Sequence, residues 1–317
     1  MGKKILIPED ITEPGKEFLR DKGYEVIVLN NPTETDICAA IKDCQGYISR
    51  SIKCSRQIME AAPQLKVISS HGVGTEQIDV DTATELNIQV TNAPLANTNS
   101  AAEHTIALLL GCANNLVYQD QQTRLGNFAS RNTVKSMEVA GKTLGIVGCG
   151  RIGQAVARKA VMGLGMNAMG FDAFIPADRW PQAIARCHSL EELVKEADVI
   201  SLHVPATKDT INMFDAKMFA LMKKNAILLN CARGKVINEK DLYTALKQGE
   251  IAAAGLDVFA EEPAVASNPL FQLANIIVSP HNAGLSKNAM DKMGLDAAQG
   301  IDEVLTGQSP TWPVNKI

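Results

Sequence analysis

An arginine, a carboxylate and a histidine sit just past apolar runs in the second half of the chain. Arg233 lies in Asn230-Cys231-Ala232-Arg233-Gly234, Glu262 in the run Gly255 to Pro263, and His281 in Ser279-Pro280-His281-Asn282-Ala283-Gly284. Oxidising a hydroxyl-bearing carbon requires a hydride acceptor, a group that trades a proton with the hydroxyl, and a cation for the carbonyl oxygen. Histidine suits the proton role because its pKa lies near neutrality. A carboxylate beside it favours imidazolium and orients the ring. Arginine presents a planar fork of donors suited to a bidentate carboxylate. Arg233, Glu262 and His281 are therefore the candidate catalytic set. Taken singly, each has a blander reading: a structural histidine, a solvated Glu261-Glu262 turn, a loop cation.

The hydride acceptor is suggested by Gly148-Cys149-Gly150-Arg151-Ile152-Gly153, which follows an apolar strand and opens an amphipathic segment. The first glycine permits a tight turn, the second lets backbone approach a pyrophosphate, and the third allows close helix–strand packing. The amides and positive end of the new helix hold the phosphate charge. A second apolar run ends at Asp172, 172 − 153 = 19 residues beyond the last glycine, where a ribose-binding acid belongs. Its carboxylate would repel a 2′-phosphate, so the expected cofactor is NAD rather than NADP.

Those residues need strands to present them, and the chain supplies two series. The runs Ile5–Ile7, Glu25–Leu29, Gly46–Ile48, Leu65–Ser69 and Ile88–Val90 read as one parallel α/β unit. Thr143–Val147, Met166–Phe171, Val199–His203, Ala226–Asn230, Ala252–Val258 and Ile276–Ser279 read as a second, six-stranded sheet with crossover helices. Between them a long helix is expected to start at Ser100 as N-cap, with Glu103 completing a capping box. A polar stretch, Tyr118 to Met137, follows it. A last helix, about Lys287 to Leu305, is expected to return to the first unit, with Pro310 to Asn315 as an extended strap. The fold class is thus α/β with two doubly wound parallel-sheet domains: residues 1–99 plus 286–317 for substrate, and 100–285 for NAD.

A length of 317 residues accommodates two domains, and 46% hydrophobic with 21% charged residues is an ordinary globular composition. The net charge of −4 argues against nucleic-acid or anionic-membrane partners. No signal-peptide pattern or spanning-length apolar run is present. The seven cysteines are scattered without C-x-x-C, which fits reduced thiols, a cytoplasmic location and no metal site. His71 reads as a supporting residue beside the substrate loop. His104 reads as a packing or hinge residue, His203 as structural or lining, and the Met213, Met218, Met222 run as core.

With these motifs in place, the chain resembles the D-isomer-specific 2-hydroxyacid dehydrogenases, and within them the phosphoglycerate dehydrogenase branch in its short form without a C-terminal regulatory domain. The resemblance spans nearly the whole chain. It rests on His71-Gly72-Val73-Gly74, Asn92-Ala93-Pro94, the glycine turn, His203-Val204-Pro205, Asn230 to Gly234, Leu256-Asp257-Val258-Phe259 and Pro280-His281. It implies a flavodoxin-like substrate domain and a Rossmann NAD domain around an interdomain cleft. It also implies that Arg233, Glu262 and His281 are catalytic, the five-residue step from Asp257 selecting Glu262 over Glu261. Arg151 and Ile152 fall at pyrophosphate positions, Asp257 at the carboxamide position, and Val204, Cys231, Ala232 and Gly284 along the cofactor. The amides of Gly72, Val73 and Gly74 would meet the substrate carboxylate, and Arg50 with Ser51 would reach a phosphate. Where many members carry a further arginine, this chain has Ser70.

The implied activity is hydride transfer between nicotinamide and C2 of a D-2-hydroxy acid, with 3-phosphoglycerate and 3-phosphohydroxypyruvate as best match and serine biosynthesis as context. A homodimer through the NAD domain is expected, its interface drawn from the helix at Ala101–Leu110 and the Tyr118–Met137 arm. Two alternatives share the same residues: a glyoxylate or hydroxypyruvate reductase, and an NAD-sensing corepressor-like binding scaffold.

Overall fold

The computed structural model describes residues 2–317. They form two compact units: the chain up to Asn97 together with Gly284–Ile317, and Thr98–Ala283.

The first unit is a five-stranded sheet. Strands β1 (Lys4–Ile7), β2 (Glu25–Val28), β3 (Gly46–Ser49), β4 (Val67–Ser70) and β5 (Gln89–Thr91) are all parallel, in the order β2-β1-β3-β4-β5. The order reverses between β1 and β3. Strands β3 and β4 are buried at every position, as expected for parallel strands covered on both faces. The helix Lys287–Leu305 supplies part of that cover. Ser286 caps it, its Oγ accepting the Ala289 N–H at 3.2 Å. It crosses the helix Glu13–Asp21 so closely that a Cβ on Gly15 would lie 2.6 Å from the Gly294 carbonyl oxygen. Beside β5 runs the C-terminal strap, bridged antiparallel at Thr91 and Pro313. Asn315 fastens it, accepting from Val90 N–H at 2.7 Å and donating to the Ile88 carbonyl at 2.9 Å.

The second unit holds seven parallel strands rather than six. These are β6 (Thr143–Val147), β7 (Asn167–Phe171), β8 (Ala185–Arg186), β9 (Val199–Leu202), β10 (Ile227–Asn230), β11 (Ala253–Leu256) and β12 (Ile276–Val278). Their order is β12-β11-β10-β9-β6-β7-β8, the doubly wound arrangement with its switch point between β6 and β9. The unforeseen strand is β8, two exposed residues on the edge of β7, too short to carry an apolar pattern.

One local expectation is corrected. The long helix spans Thr98–Ala113, so Ser100 lies inside it and forms no capping box. Its hydroxyl instead donates to the Ala283 carbonyl at 2.8 Å, while Glu103 pairs with Lys159 at 3.0 Å. The polar stretch after it is a helix, Leu116–Arg124, and a 3-10 turn, Phe128–Asn132, with Leu125 77% and Phe128 68% exposed. Among the described residues no helix is long and apolar enough to cross a membrane.

Candidate active site

At the switch point of the seven-stranded sheet, β6 ends in the glycine turn. Gly148 has φ +91, and a Cβ there would meet the His203 carbonyl oxygen at 2.7 Å and Val204 Cγ1 at 2.8 Å. Gly153 is held to glycine by the turn itself, since its Cβ would stand 2.3 Å from the Gly148 oxygen. Gly150 differs. A Cβ on it would meet no protein atom within 4 Å, although it is the residue preceding the helix Arg151–Leu164. Nothing in the fold therefore requires glycine at 150, whereas a group laid against the helix N-terminus does. That is the cradle a pyrophosphate fits.

Asp172 stands just after β7, half-buried. Its Oδ2 accepts the Cys149 N–H at 2.9 Å, and Oδ1 accepts the Phe174 and Ile175 N–H groups at 2.9 and 3.1 Å. The carboxylate thus fastens the glycine turn to the loop after β7. Arg151 is exposed at the start of the helix and Ile152 half-buried beside it. Val204, Cys231 and Ala232 are half-buried past the ends of β9 and β10, and burial pushes the Cys231 thiol up to about 12.

The three catalytic candidates all belong to this unit, and the structure brings Glu262 and His281 into direct contact. His281 Nδ1 lies 2.6 Å from Glu262 Oε2, while Glu262 Oε1 accepts the Phe259 N–H at 2.9 Å. With Nδ1 donating, Nε2 is the nitrogen left to exchange a proton. The Glu262 hydrogen bond raises the His281 pKa above its ordinary value against the opposing effect of burial. Burial pushes the Glu262 carboxyl up, but the bonds from His281 and Phe259 hold it below the usual value. Arg233 is the third partner, and its charge favours ionised Glu262 and opposes imidazolium at His281.

Backbone architecture places Arg233. Asn230, fully buried at the end of β10, donates to the Arg233 carbonyl and accepts the Ala232 N–H, both at 3.0 Å. Gly234 then passes so near the next loop that a Cβ would lie 1.9 Å from the Phe259 carbonyl carbon. Only glycine allows that approach, and it draws the Arg233 loop against the turn that carries Glu262.

Asp257 has a role within the protein itself. It is fully buried and uses its carboxylate on the loop carrying His281. Its Oδ1 accepts from Ser279 Oγ at 2.6 Å and Asn282 N–H at 3.0 Å, and Oδ2 from Ala283 N–H at 2.8 Å. A buried charge needs such donors. His281 itself is held at φ +52, a left-handed conformation uncommon outside glycine. Sequence reasoning missed two members of this network. Ser279 donates its only proton to Asp257, so His104 Nε2, 2.8 Å from Ser279 Oγ, must be the donor to that oxygen. No sequence spacing links His104 to a loop 175 residues away.

The substrate-binding candidates lie in the other unit, past β3 and β4, and Gly284 groups with them. The Gly72-Val73-Gly74 loop is fixed by its carbonyls, which accept from Ala93 N–H at 2.8 Å, Asn92 Nδ2 at 2.8 Å and Ser70 Oγ at 2.7 Å. Arg50 Nη1 donates to the Asp10 carbonyl at 2.9 Å and stands 3.6 Å from Glu9 Oε1. Ser51 donates its N–H to Glu9 Oε2 at 2.9 Å and its hydroxyl to the same oxygen. His71 is buried, and burial with the nearby Arg50 charge lowers its pKa to about 4.

Comparison with known proteins shows the family. Residues 106–283 match the family described as D-isomer specific 2-hydroxyacid dehydrogenase, NAD binding domain. A D-3-phosphoglycerate dehydrogenase of Methanocaldococcus jannaschii is 42% identical over 98% of this chain, which spans 59% of that relative's length. A glyoxylate reductase of Korarchaeum cryptofilum is 36% identical over 100% of this chain and 97% of its own. A solved structure from Thermus thermophilus superposes with a TM-score of 0.90 at 33% identity, covering 98% of this chain and 100% of that one.

Proposed function

Since the chain belongs to the D-isomer-specific 2-hydroxyacid dehydrogenase family, we propose that it is an NAD-dependent oxidoreductase acting at C2 of a short D-2-hydroxy acid, with 3-phosphoglycerate and 3-phosphohydroxypyruvate as substrate pair. The observation that carries this reading is the His281–Glu262 contact with Arg233 beside it.

Bound NAD supplies the hydride carrier, and the residues of the chain do the rest. Arg233 grips the substrate carboxylate and polarises the C2 oxygen, a positioned charge of the kind that stabilises developing oxyanions. In oxidation, His281 takes the hydroxyl proton at Nε2 while Glu262 supports the imidazolium formed; in reduction the imidazolium returns the proton. Gly148, Gly150, Arg151, Ile152 and Gly153 cradle the pyrophosphate, Asp172 receives the ribose, and Val204, Cys231, Ala232 and Gly284 line the cofactor. Asp257 meets the nicotinamide carboxamide and also holds the loop of His281. In the unit formed by the chain's two ends, Gly72, Val73 and Gly74 offer amides to the substrate carboxylate, and Arg50 with Ser51 reaches its far end. Exposed Leu125 and Phe128 support self-association as a dimer through this arm, and seven free cysteines suit a cytoplasmic setting.

A second reading, a glyoxylate or hydroxypyruvate reductase, is favoured by one specific observation: Glu9 already sits on Arg50 and Ser51. The test is NADH and NADPH consumption with 3-phosphohydroxypyruvate, hydroxypyruvate, glyoxylate and pyruvate. Turnover with NADH on one of the first two is expected. No turnover on any would point to an NAD-binding scaffold instead.

A further inference from the structure

Open α/β sheets bind ligands past the carboxyl ends of their strands where the strand order reverses. In the five-stranded sheet that point lies between β1 and β3. The residues there are Glu9, two beyond β1, and Arg50 with Ser51, immediately beyond β3. An anion arriving at this crevice would use the Ser51 N–H, the Ser51 hydroxyl and the Arg50 guanidinium. All three already serve the Glu9 carboxylate.

Glu9 is not loosely attached. Pro8 fixes the backbone just before it. Asp10, just after it, accepts from Arg50 Nη1 through its carbonyl, and its Oδ1 takes the Ile11 N–H at 2.9 Å and Lys16 Nζ at 2.8 Å. Lys16 is only 8% exposed, so that anchor is itself embedded. Nor do Ser70 and His71, at the end of the neighbouring strand β4, add a cation to offset the carboxylate. Ser70 spends its hydroxyl on the Gly74 carbonyl, and His71, with its pKa near 4, is neutral at physiological pH.

We propose that Glu9 is a specificity-determining residue: a resident carboxylate that competes with a substrate's phosphoryl group for Arg50 and Ser51 and so lowers the preference for 3-phosphohydroxypyruvate over hydroxypyruvate that those donors would otherwise give. The inference rests on the dehydrogenase reading above for its substrates, though not for the occupancy of the crevice. A phosphoryl dianion can reach those donors only by displacing a like charge. Two unit charges of the same sign a few ångströms apart repel by about 1 kcal/mol even in bulk water, and more near a protein surface.

The experiment compares kcat/KM for 3-phosphohydroxypyruvate with that for hydroxypyruvate in the wild type, Glu9→Gln and Glu9→Ala. Glutamine removes the charge and keeps the shape, while alanine vacates the space. The phosphorylated-to-unphosphorylated ratio should rise roughly tenfold in both. A rise below threefold in both overturns the proposal, and so does a rise that persists in Glu9→Ala/Arg50→Ala. Titration calorimetry with inorganic phosphate provides a readout independent of turnover. Phosphate should bind the Glu9 variants at least threefold more tightly than the wild type, and equal binding overturns the proposal. If the wild type reduces neither acid, the dehydrogenase reading fails, while the calorimetry still decides the role of Glu9.

Discussion

His281 Nδ1 and Glu262 Oε2 stand 2.6 Å apart, and that contact decides which imidazole nitrogen is free for chemistry. It also fixes the sign of a pH dependence. Because Glu262 raises the His281 pKa, the protonated form persists to higher pH than in a free histidine. Reduction, which needs imidazolium, should fall as pH rises through that pKa, and oxidation, which needs the neutral ring, should rise through it. Glu262→Gln removes the charge and should move both midpoints to lower pH. Unmoved midpoints in kcat/KM profiles would show that Glu262 does not set this titration.

Replacing His281 with alanine should lower kcat by roughly 10²- to 10⁴-fold, the usual share of general acid–base catalysis. NADH should still bind, as read by protein-to-nicotinamide fluorescence transfer. Turnover within tenfold of wild type would remove His281 from the proton step.

Asp172→Ala should act twice. Loss of the carboxylate proposed to receive the ribose should narrow the NAD-to-NADP ratio in kcat/KM by roughly fivefold or more, the value of about 1 kcal/mol of relieved repulsion. Loss of its bonds to Cys149, Phe174 and Ile175 should also weaken both cofactors together. An unchanged ratio with equal weakening would assign Asp172 to the turn alone.

A methyl group on Gly234 has nowhere to go, because its carbon would fall 1.9 Å from the Phe259 carbonyl carbon. Gly234→Ala should destabilise by about 1–3 kcal/mol or more through forced backbone shifts. For a unit of this size that corresponds to a Tm lower by roughly 2–12 °C. Since Arg233 moves with it, KM should rise as well. A variant with wild-type melting and KM would refute the close approach.

The His104–Ser279–Asp257 chain makes a subtler prediction. Ser279→Ala deprives a fully buried carboxylate of one donor, which typically costs about 1–3 kcal/mol. The loop it steadies carries His281, so kcat should fall more than KM rises. Ser279→Thr, which keeps the hydroxyl, should recover most of the loss; equal defects in both variants would reduce the contact to packing.

Much of this is legible in the sequence because each feature leaves a local mark. The glycine turn shows as glycines after a strand, and Arg233, Glu262 and His281 stand just past apolar runs, where parallel sheets present side chains. The failures share another cause. Strand β8 has two exposed residues and so no periodicity. Ser100 reads as a helix cap, but the helix begins earlier and the hydroxyl serves the Ala283 carbonyl. Glu9 on Ser51 and His104 on Ser279 join segments far apart in sequence, and neither residue type predicts its partner.

The returning helix Lys287–Leu305 bears on how the molecule is made. It covers strands β3 and β4, whose every position is buried, yet it is synthesised after the whole of Thr98–Ala283. The sheet of the first unit must therefore wait for this later helix before its apolar surface is closed, whereas Thr98–Ala283 is uninterrupted and has all its strands in hand sooner. Domains fold as units during synthesis. In this chain Thr98–Ala283 is ready to fold before the segment that precedes it, and strands β1–β5 are the segment most exposed to aggregation until the helix Lys287–Leu305 has been translated.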